Sequence, residues 1–272
     1  MKGAKRPIPL WPAVAVLLLA AGCSTTPTPP PAPHSAEGAP ESAAEIYAQL
    51  GLEYMKRGTL DLASVKFRRS LQLNPKLPSA HLYIAQLYGQ LGESEAADSH
   101  YREALSLDPS YSAAHNNYGV FLCREKRFPE AEEHLLKAVK DPLYPNRDEA
   151  YENLGLCALL IPDKAKAEGY FLQALNLNAA LPKSLLAMAQ LSFDAGQYAQ
   201  SRGYLRRHLE VAKPSPASLG LAIQVERQMG DKNAEASYAL LLKRKFPDSE
   251  EARQLVSAER QSSSSGRHGE ER

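Results

Sequence analysis

The sequence has little of several residue types that define whole classes of protein. Its 272 residues include only three Cys and one Trp, and 32 Lys and Arg are balanced by 31 Asp and Glu, which gives a formal net charge of +1. Three Cys are too few for a scaffold held together by disulfides. A charge this close to zero excludes a nucleic-acid binder that relies on bulk positive charge. We therefore expect no nucleic-acid partner.

Motifs that carry catalysis or hold cofactors are also missing. The sequence contains no GxSxG, no HExxH and no Gly-rich phosphate loop. His81 and His115 are 34 residues apart, a spacing that a repeat imposes, and we interpret both as packing residues. The sequence thus predicts no enzyme, no cofactor and no metal site.

Residues 1–22 have the pattern of a secretory signal peptide. Lys2, Lys5 and Arg6 give a positive start, and residues 13–21 form an uninterrupted apolar run of nine residues. Nine residues are too few to cross a bilayer, which takes about 20. We therefore predict that this segment is an export signal and is removed from the mature protein.

The end of this segment, residues 19–23 (LAAGC), resembles the lipobox of bacterial lipoproteins, with Ala20 where that motif usually has Leu. The resemblance implies that Cys23 is lipidated, and two or more acyl chains anchor a protein stably in a membrane. An Asp after the Cys retains such proteins in the inner membrane. Ser24 stands there instead, and it indicates anchoring in the outer membrane, on the periplasmic face.

The two ends of the mature chain differ in composition from its body. Residues 23–43 follow the signal. Six of residues 24–43 are Pro, a composition that favours an extended tether rather than a packed core. Residues 250–260 are predicted to form a capping helix. Residues 261–272 (QSSSSGRHGEER) are low-complexity and polar, and we expect them to form a disordered tail.

The body of the chain, residues 44–249, is repetitive. Dipeptides such as Leu50-Gly51, Ile84-Ala85 and Tyr118-Gly119 recur every 34 residues, which is the length of a tetratricopeptide (TPR) helix pair. In the first five repeats the residues at positions 8 and 20 are small and the residue at position 24 is large. The sequence predicts an all-α fold, a right-handed superhelix of about six TPR repeats. The predicted repeats start at residues 44, 78, 112, 148, 182 and, for a divergent sixth copy, 216.

The sixth copy fits the pattern less well than the others. It has no small residue at position 8, and a register slipped by one residue is an open alternative. We assign Ala236 and Leu240 as its packing positions.

The first helix of each TPR pair lines the concave wall, which is the usual surface for ligands. The residues predicted to bind a protein partner there are Leu52, Met55, Leu82, Gln86, Asn116, Asn117, Val120, Asn153 and Leu156. The lining is mainly apolar with amides, which suits an extended or helical apolar peptide. For Leu52 and Leu156, burial between repeats is an equal alternative.

Cys123 and Cys157 remain after the lipidation site is set aside. A disulfide between them is possible in an oxidising periplasm. We expect two buried thiols that behave as small apolar groups instead.

One stretch goes beyond a generic repeat. Residues 116–156 (NNYGVFLCREKRFPEAEEHLLKAVKDPLYPNRDEAYENLGL) contain a two-residue expansion at DPLYPNR, and together with the lipobox they resemble the PilF/PilW family of type IV pilus biogenesis lipoproteins. The resemblance implies a pilotin, a monomer anchored to outer-membrane lipid through Cys23. Its protein partner would be the pilus secretin, whose localisation and multimerisation it assists. The alternative is an envelope TPR lipoprotein that scaffolds peptidoglycan hydrolases or outer-membrane assembly factors.

Overall fold

The computed structural model describes residues 42–161 and 163–267, and thirteen α-helices make up nearly all of that part of the chain. The signal segment, Cys23, most of the tether and residues 268–272 lie outside the described residues. None of the described helices is both long and apolar enough to span a membrane. The helices are α1 Ala43–Lys56, α2 Leu60–Leu73, α3 Pro78–Leu91, α4 Ser94–Leu107, α5 Ser112–Arg124, α6 Phe128–Lys140, α7 Arg147–Ala158, α8 Lys164–Leu177, α9 Pro182–Asp194, α10 Tyr198–Val211, α11 Pro216–Met229, α12 Lys232–Lys245 and α13 Glu250–Arg267.

The first twelve helices form six pairs, and each pair starts within one residue of a predicted repeat start. Pro at the first position of α3, α9 and α11 fixes a helical φ where no backbone donor is needed. The turns inside four pairs contain a Gly with a φ of +73° to +78°, which a residue with a side chain adopts only with strain. These turns are at Gly58, Gly92, Gly196 and Gly230.

Size complementarity holds the two helices of a pair together. A Cβ atom added to Gly119 would lie 2.6 Å from Cγ of Leu135 and 2.9 Å from the carbonyl oxygen of Ala131. The same position in repeat one, Gly51, faces Phe67. Positions 8, 20 and 24 are buried in all five regular repeats, which confirms the predicted register.

Successive first helices contact one another in the order α1, α3, α5, α7, α9 and α11. Successive second helices lie farther apart, and α6 and α8, for example, are joined through the long side chains of Glu132 and Lys166. The first helices are therefore the more tightly packed wall, as expected of the concave side of a TPR superhelix.

Repeat six departs from the sequence prediction. Leu240 is 66% exposed and Ala236 is also exposed, so neither packs as predicted. Ala239 and Leu242 are buried instead, in one cluster with Ile223. Helix α11 starts at residue 216, and Gly230 stands at position 15 of the turn as in repeats one, two and five, so the register is unshifted. Ile223 therefore occupies position 8 and Ala239 position 24, and the usual sizes at these two positions are reversed.

Helix α13 caps this end, with Ala252 buried in the cluster that holds α11 and α12. It continues to Arg267, through residues that we predicted to belong to a disordered tail. The helix thus extends past residue 260, where we predicted the capping helix to end.

Candidate protein-binding groove

A groove lies on the wall of first helices, between α3 and α5. It has a volume of about 180 Å³. Gly89 leaves room along one side, since a Cβ atom there would only touch the Phe121 ring at 3.6 Å. We call this the α3–α5 groove, and its lining residues are Gln86, Gly89, Gln90, Tyr101, Asn117, Val120, Phe121 and Arg124.

Three of the predicted partner-binding residues come together in this groove. Gln86 comes from α3, and Asn117 and Val120 come from α5; all three are half-buried. Two amides beside an apolar wall can bond the backbone of a peptide and hold one of its apolar side chains.

Three other predicted residues are buried in the core, which corrects their assignment. Met55 packs with Ile84 of the next repeat, and Leu82 is 1% exposed among residues of α4 and α5. Asn116 is also buried. Their positions point between neighbouring first helices rather than into the groove, because those helices pack closely.

The remaining predicted residues lie away from the groove. The side-chain amide of Asn153 donates to Oδ1 of Asn116 at 3.0 Å and so ties α7 to α5. Leu52 and Leu156 are half-buried against the clusters between repeats, which supports the alternative that they are core residues.

The sequence analysis missed Gln90 and Arg124, which line the same groove. They are 34 residues apart, at position 13 of successive repeats. That spacing could have identified them, had position 13 been included in the concave wall. Arg124 places one guanidinium at the end of an otherwise neutral surface.

A larger cavity of about 410 Å³ lies at the other end of the array. Its walls come from α9, α11 and α13, and Phe193, Gln224 and Arg227 face it. Arg227 is already paired with Glu235 at 2.8 Å. The capping helix thus forms part of this cavity wall.

Cys123 and Cys157 form a disulfide, with their Cα atoms 5.9 Å apart. The expectation of two free thiols is therefore wrong. The bond joins α5 to α7 across the only boundary in the predicted register where the repeat is two residues longer. Cys123 immediately precedes Arg124 of the groove, so the crosslink also holds one end of the groove to the next repeat.

Polar networks connect neighbouring repeats. Asp98 of α4 accepts from the Tyr118 hydroxyl at 2.7 Å and from Nη1 of Arg127 at 2.6 Å. Burial raises the pKa of Asp98, but these two hydrogen bonds, together with the positive charges of Arg102 and Arg127, hold that pKa below its usual value. Arg202 pairs with Asp231 at the same two repeat positions, with the charges exchanged.

Two His pairs recur at the repeat spacing. Nδ1 of His81 lies 3.0 Å from Nδ1 of His100, and Nδ1 of His115 lies 2.8 Å from Nδ1 of His134. Nε2 of His115 bonds the carbonyl oxygen of Pro109. The structure therefore supports the packing role predicted for His81 and His115, and no cluster of three or more potential metal ligands occurs among the described residues.

Comparison with known proteins gives the family. Models described as "Tetratricopeptide repeat" and "TPR repeat" match residues 82–148 and 51–92. The chain is 37% identical over 209 residues to the type IV pilus assembly protein PilF of Pseudomonas aeruginosa, across 77% of this chain and 83% of that protein. The chain belongs to the PilF family. It is therefore a TPR protein of type IV pilus biogenesis.

Solved structures of PilF-family members have the same architecture. A structure of Pseudomonas aeruginosa PilF superposes with a TM-score of 0.75 at 36% identity and covers 79% of this chain and 97% of that one. PilW, described as a widely conserved type IV pilus biogenesis factor, gives a TM-score of 0.72 at 28% identity and covers 80% and 100%. The six helix pairs are thus the PilF-family fold.

Proposed function

We propose that this protein is a pilotin, a membrane-anchored TPR scaffold that assists localisation and multimerisation of the type IV pilus secretin. Its membership of the PilF family supports a role in the pilus. The α3–α5 groove is the observation that carries the proposal, because it combines amides and apolar side chains on the wall that TPR proteins use for peptides.

The groove would hold a segment of the secretin in an extended or helical form. Gln86 and Asn117 would bond the backbone of that segment, and Val120 would contact an apolar side chain. No bond is made or broken in this process, so the proposal is of a binding protein and not of an enzyme.

The anchor supplies the second half of the mechanism. Lipidated Cys23 would keep the protein on the periplasmic face of the outer membrane, and the Pro-rich tether would set its reach. Secretin subunits held by several anchored copies become concentrated near the membrane, which favours ring assembly without new contacts between the subunits.

The groove is tested by Asn117→Ala combined with Val120→Glu, in full-length lipidated protein. We expect secretin recovery in a pull-down from detergent-solubilised envelopes to fall by roughly tenfold or more, since one lost hydrogen bond and one buried charge together exceed 1.4 kcal/mol. The matched control is Leu172→Glu with Gln173→Ala, at exposed residues of α8. Equal secretin recovery from both variants would contradict the groove assignment.

The anchor is tested by Cys23→Ser. We expect the repeat array to fold normally, as judged by circular dichroism, while secretin multimers decrease and the protein leaves the outer-membrane fraction. Unchanged multimers and location would contradict the pilotin mechanism. Mass spectrometry of the pull-down tests the alternative, because recovery of peptidoglycan hydrolases or outer-membrane assembly factors without secretin would favour a different envelope scaffold.

A further inference from the structure

The N-terminal end of the superhelix differs from every internal repeat boundary. Positions 3 and 7 of the first helix are buried by the preceding repeat in repeats two to six, with exposures of 0% to 5% at the apolar residues. In repeat one these positions hold Ile46, which is 51% exposed, and Leu50, which is 38% exposed. No described residue covers them.

The second helix of repeat one also carries exposed apolar residues. Leu62 and Val65 of α2 are 46% and 49% exposed. Leu62 occupies position 19, and in repeat four the residue at that position, Lys166, reaches the preceding repeat and pairs with Glu132 at 2.6 Å. Lys66 joins the two helices at this end, with its ammonium 5.9 Å from the centre of the Tyr47 ring of α1. We call Ile46, Leu50, Leu62 and Val65 the N-terminal edge.

Repeat one, which carries the N-terminal edge, has a net positive charge. Residues 44–77 contain six basic and three acidic side chains, whereas residues 78–111 contain one basic and five acidic. Lys66 follows Val65 directly, and Arg69 lies one helical turn further on. Glu45 and Asp61 also adjoin the edge, directly before Ile46 and Leu62, but cations outnumber acids in this repeat, in a chain whose total charge is close to zero.

The residues of the edge argue against two kinds of occupant. Position 3 is Ala or Ser wherever another repeat packs on it, at Ala80, Ala114, Ala150, Ser184 and Ser218, but it is Ile in repeat one. A stacked helix pair would meet a bulky side chain at that point. A second copy of the same edge would bring two positive surfaces together, and the opposite end of the array is covered by α13.

We propose that the N-terminal edge docks on a lipid surface that carries anionic headgroups. Acyl chains adapt to any side-chain shape, so Ile46 and Leu62 can enter the headgroup boundary, while Lys66 and Arg69 lie at the level of the phosphates. The edge belongs to the first helix pair after the tether. This inference rests on the proposed function, because lipidated Cys23 would bring that end of the chain to the membrane. Docking would then hold the array at the membrane surface.

The test uses the mature chain with Cys23→Ser, which has no acyl group, and co-sedimentation with vesicles of phosphatidylethanolamine and phosphatidylglycerol. We expect binding, and much weaker binding to phosphatidylcholine vesicles. Lys66→Glu with Arg69→Glu, or Leu62→Ser with Val65→Ser, should weaken binding roughly tenfold or more. The matched controls at the far end are Leu240→Ser, and Arg244→Glu with Lys245→Glu, which should stay within about twofold of the parent.

A second measurement does not depend on these substitutions. An environment-sensitive fluorophore on Leu50→Cys should shift to the blue when the vesicles are added, and the same label on Leu240→Cys should not. A parent chain that does not bind, edge variants that behave like the controls, or a Leu50 label that is already buried before vesicles are added would each overturn the proposal. The last result would mean that the edge is covered by the chain's own tether or by a protein.

Neither measurement includes secretin or a lipid anchor. Failure of the lipid-docking proposal therefore leaves the pilotin proposal standing. Loss of the pilotin role would likewise leave the vesicle result unchanged.

Discussion

Ile223 and Ala239 reverse the usual sizes of the residues at positions 8 and 24. In the first five repeats the residue at position 8 is small and the residue at position 24 is large. Positions 8 and 24 face each other inside a helix pair, as Gly119 faces Leu135 and Gly155 faces Phe171. In repeat six the large side chain comes from the first helix, and both residues belong to one buried cluster. The volume between the helices is thus filled from the opposite side, and the pair closes in the usual way.

This exchange predicts strong coupling between the two residues. Ile223→Ala alone should lower the free energy of unfolding by about 2–4 kcal/mol, because it leaves a cavity. Ala239→Leu alone should lower it by about 1–3 kcal/mol through overpacking. The double variant restores the usual arrangement. Its loss of unfolding free energy should be smaller than the sum of the two single losses by about 1 kcal/mol or more. Urea unfolding followed by circular dichroism measures this cycle, and strictly additive losses would contradict it.

Two Gly residues in helices should respond in opposite directions to the same change. Gly119→Ala should lower the free energy of unfolding by about 1–3 kcal/mol, since the new Cβ atom would meet Leu135 and the backbone of Ala131. In Gly169→Ala, in α8, the new Cβ atom would meet no atom within 4 Å. This variant should raise the free energy of unfolding by about 0.5–1 kcal/mol. Thermal melts compare the two variants, and a stable Gly119→Ala protein would refute the packing of repeat three.

Lys126 carries backbone strain that the equivalent turns of four other repeats avoid. Its φ is +62°, at the position where repeats one, two, five and six have Gly. Lys126→Gly should therefore raise the free energy of unfolding by about 0.5–1 kcal/mol, since a side chain in this left-handed conformation costs about 1–2 kcal/mol. Lys137→Gly, in the last turn of α6, should instead lower it, by up to about 1 kcal/mol. Equal effects of the two substitutions would contradict this account.

The His pairs predict a loss of stability in mild acid. Burial, with His115 and Lys137 nearby, lowers the pKa of His134 to about 4, and burial also lowers the pKa values of His100 and His115. The unfolded chain takes up these protons near pH 6.5. The free energy of unfolding should therefore be constant above about pH 7 and fall as the pH drops from about 6.5 toward 4.

The same pairs offer a variant that isolates this effect. Each His contributes at most about 1.4 kcal/mol per pH unit, and less here because solvent reaches part of the rings. His100→Gln with His134→Gln keeps hydrogen-bonding side chains that do not titrate. Urea melts at pH 7.5 and 5.0 should show a smaller difference for this variant than for the parent. An equal difference would assign the acid sensitivity to other groups.

The fold could be predicted well from the sequence because the same packing pattern occurs in each of five repeats. A small residue such as Ala63 opposite a large one such as Phe67 recurs at fixed positions, and five copies of the pattern leave one register. Repeat six could not be predicted in the same way. Its packing depends on the sum of two facing volumes, and no single position reveals that sum.

The candidate site was predicted less well, because it also depends on how two neighbouring elements pack against each other. Gln86, Asn117 and Val120 line the α3–α5 groove, but Met55, Leu82 and Asn116 are buried. A repeat position indicates which way a side chain points from its own helix. It does not indicate how closely the neighbouring first helix approaches, and that distance decides between a groove residue and a core residue.

The sequence by itself determined the helix pairs, the spacing of the repeats and the family, because all three depend on local residue patterns. The tertiary structure alone decided that Cys123 bonds Cys157, that Asn116 bonds Asn153 and that no residue in the described part of the chain covers Ile46 and Leu50. These outcomes join or expose residues of different repeats. Each depends on the distance between helices that the chain brings together only when the superhelix closes.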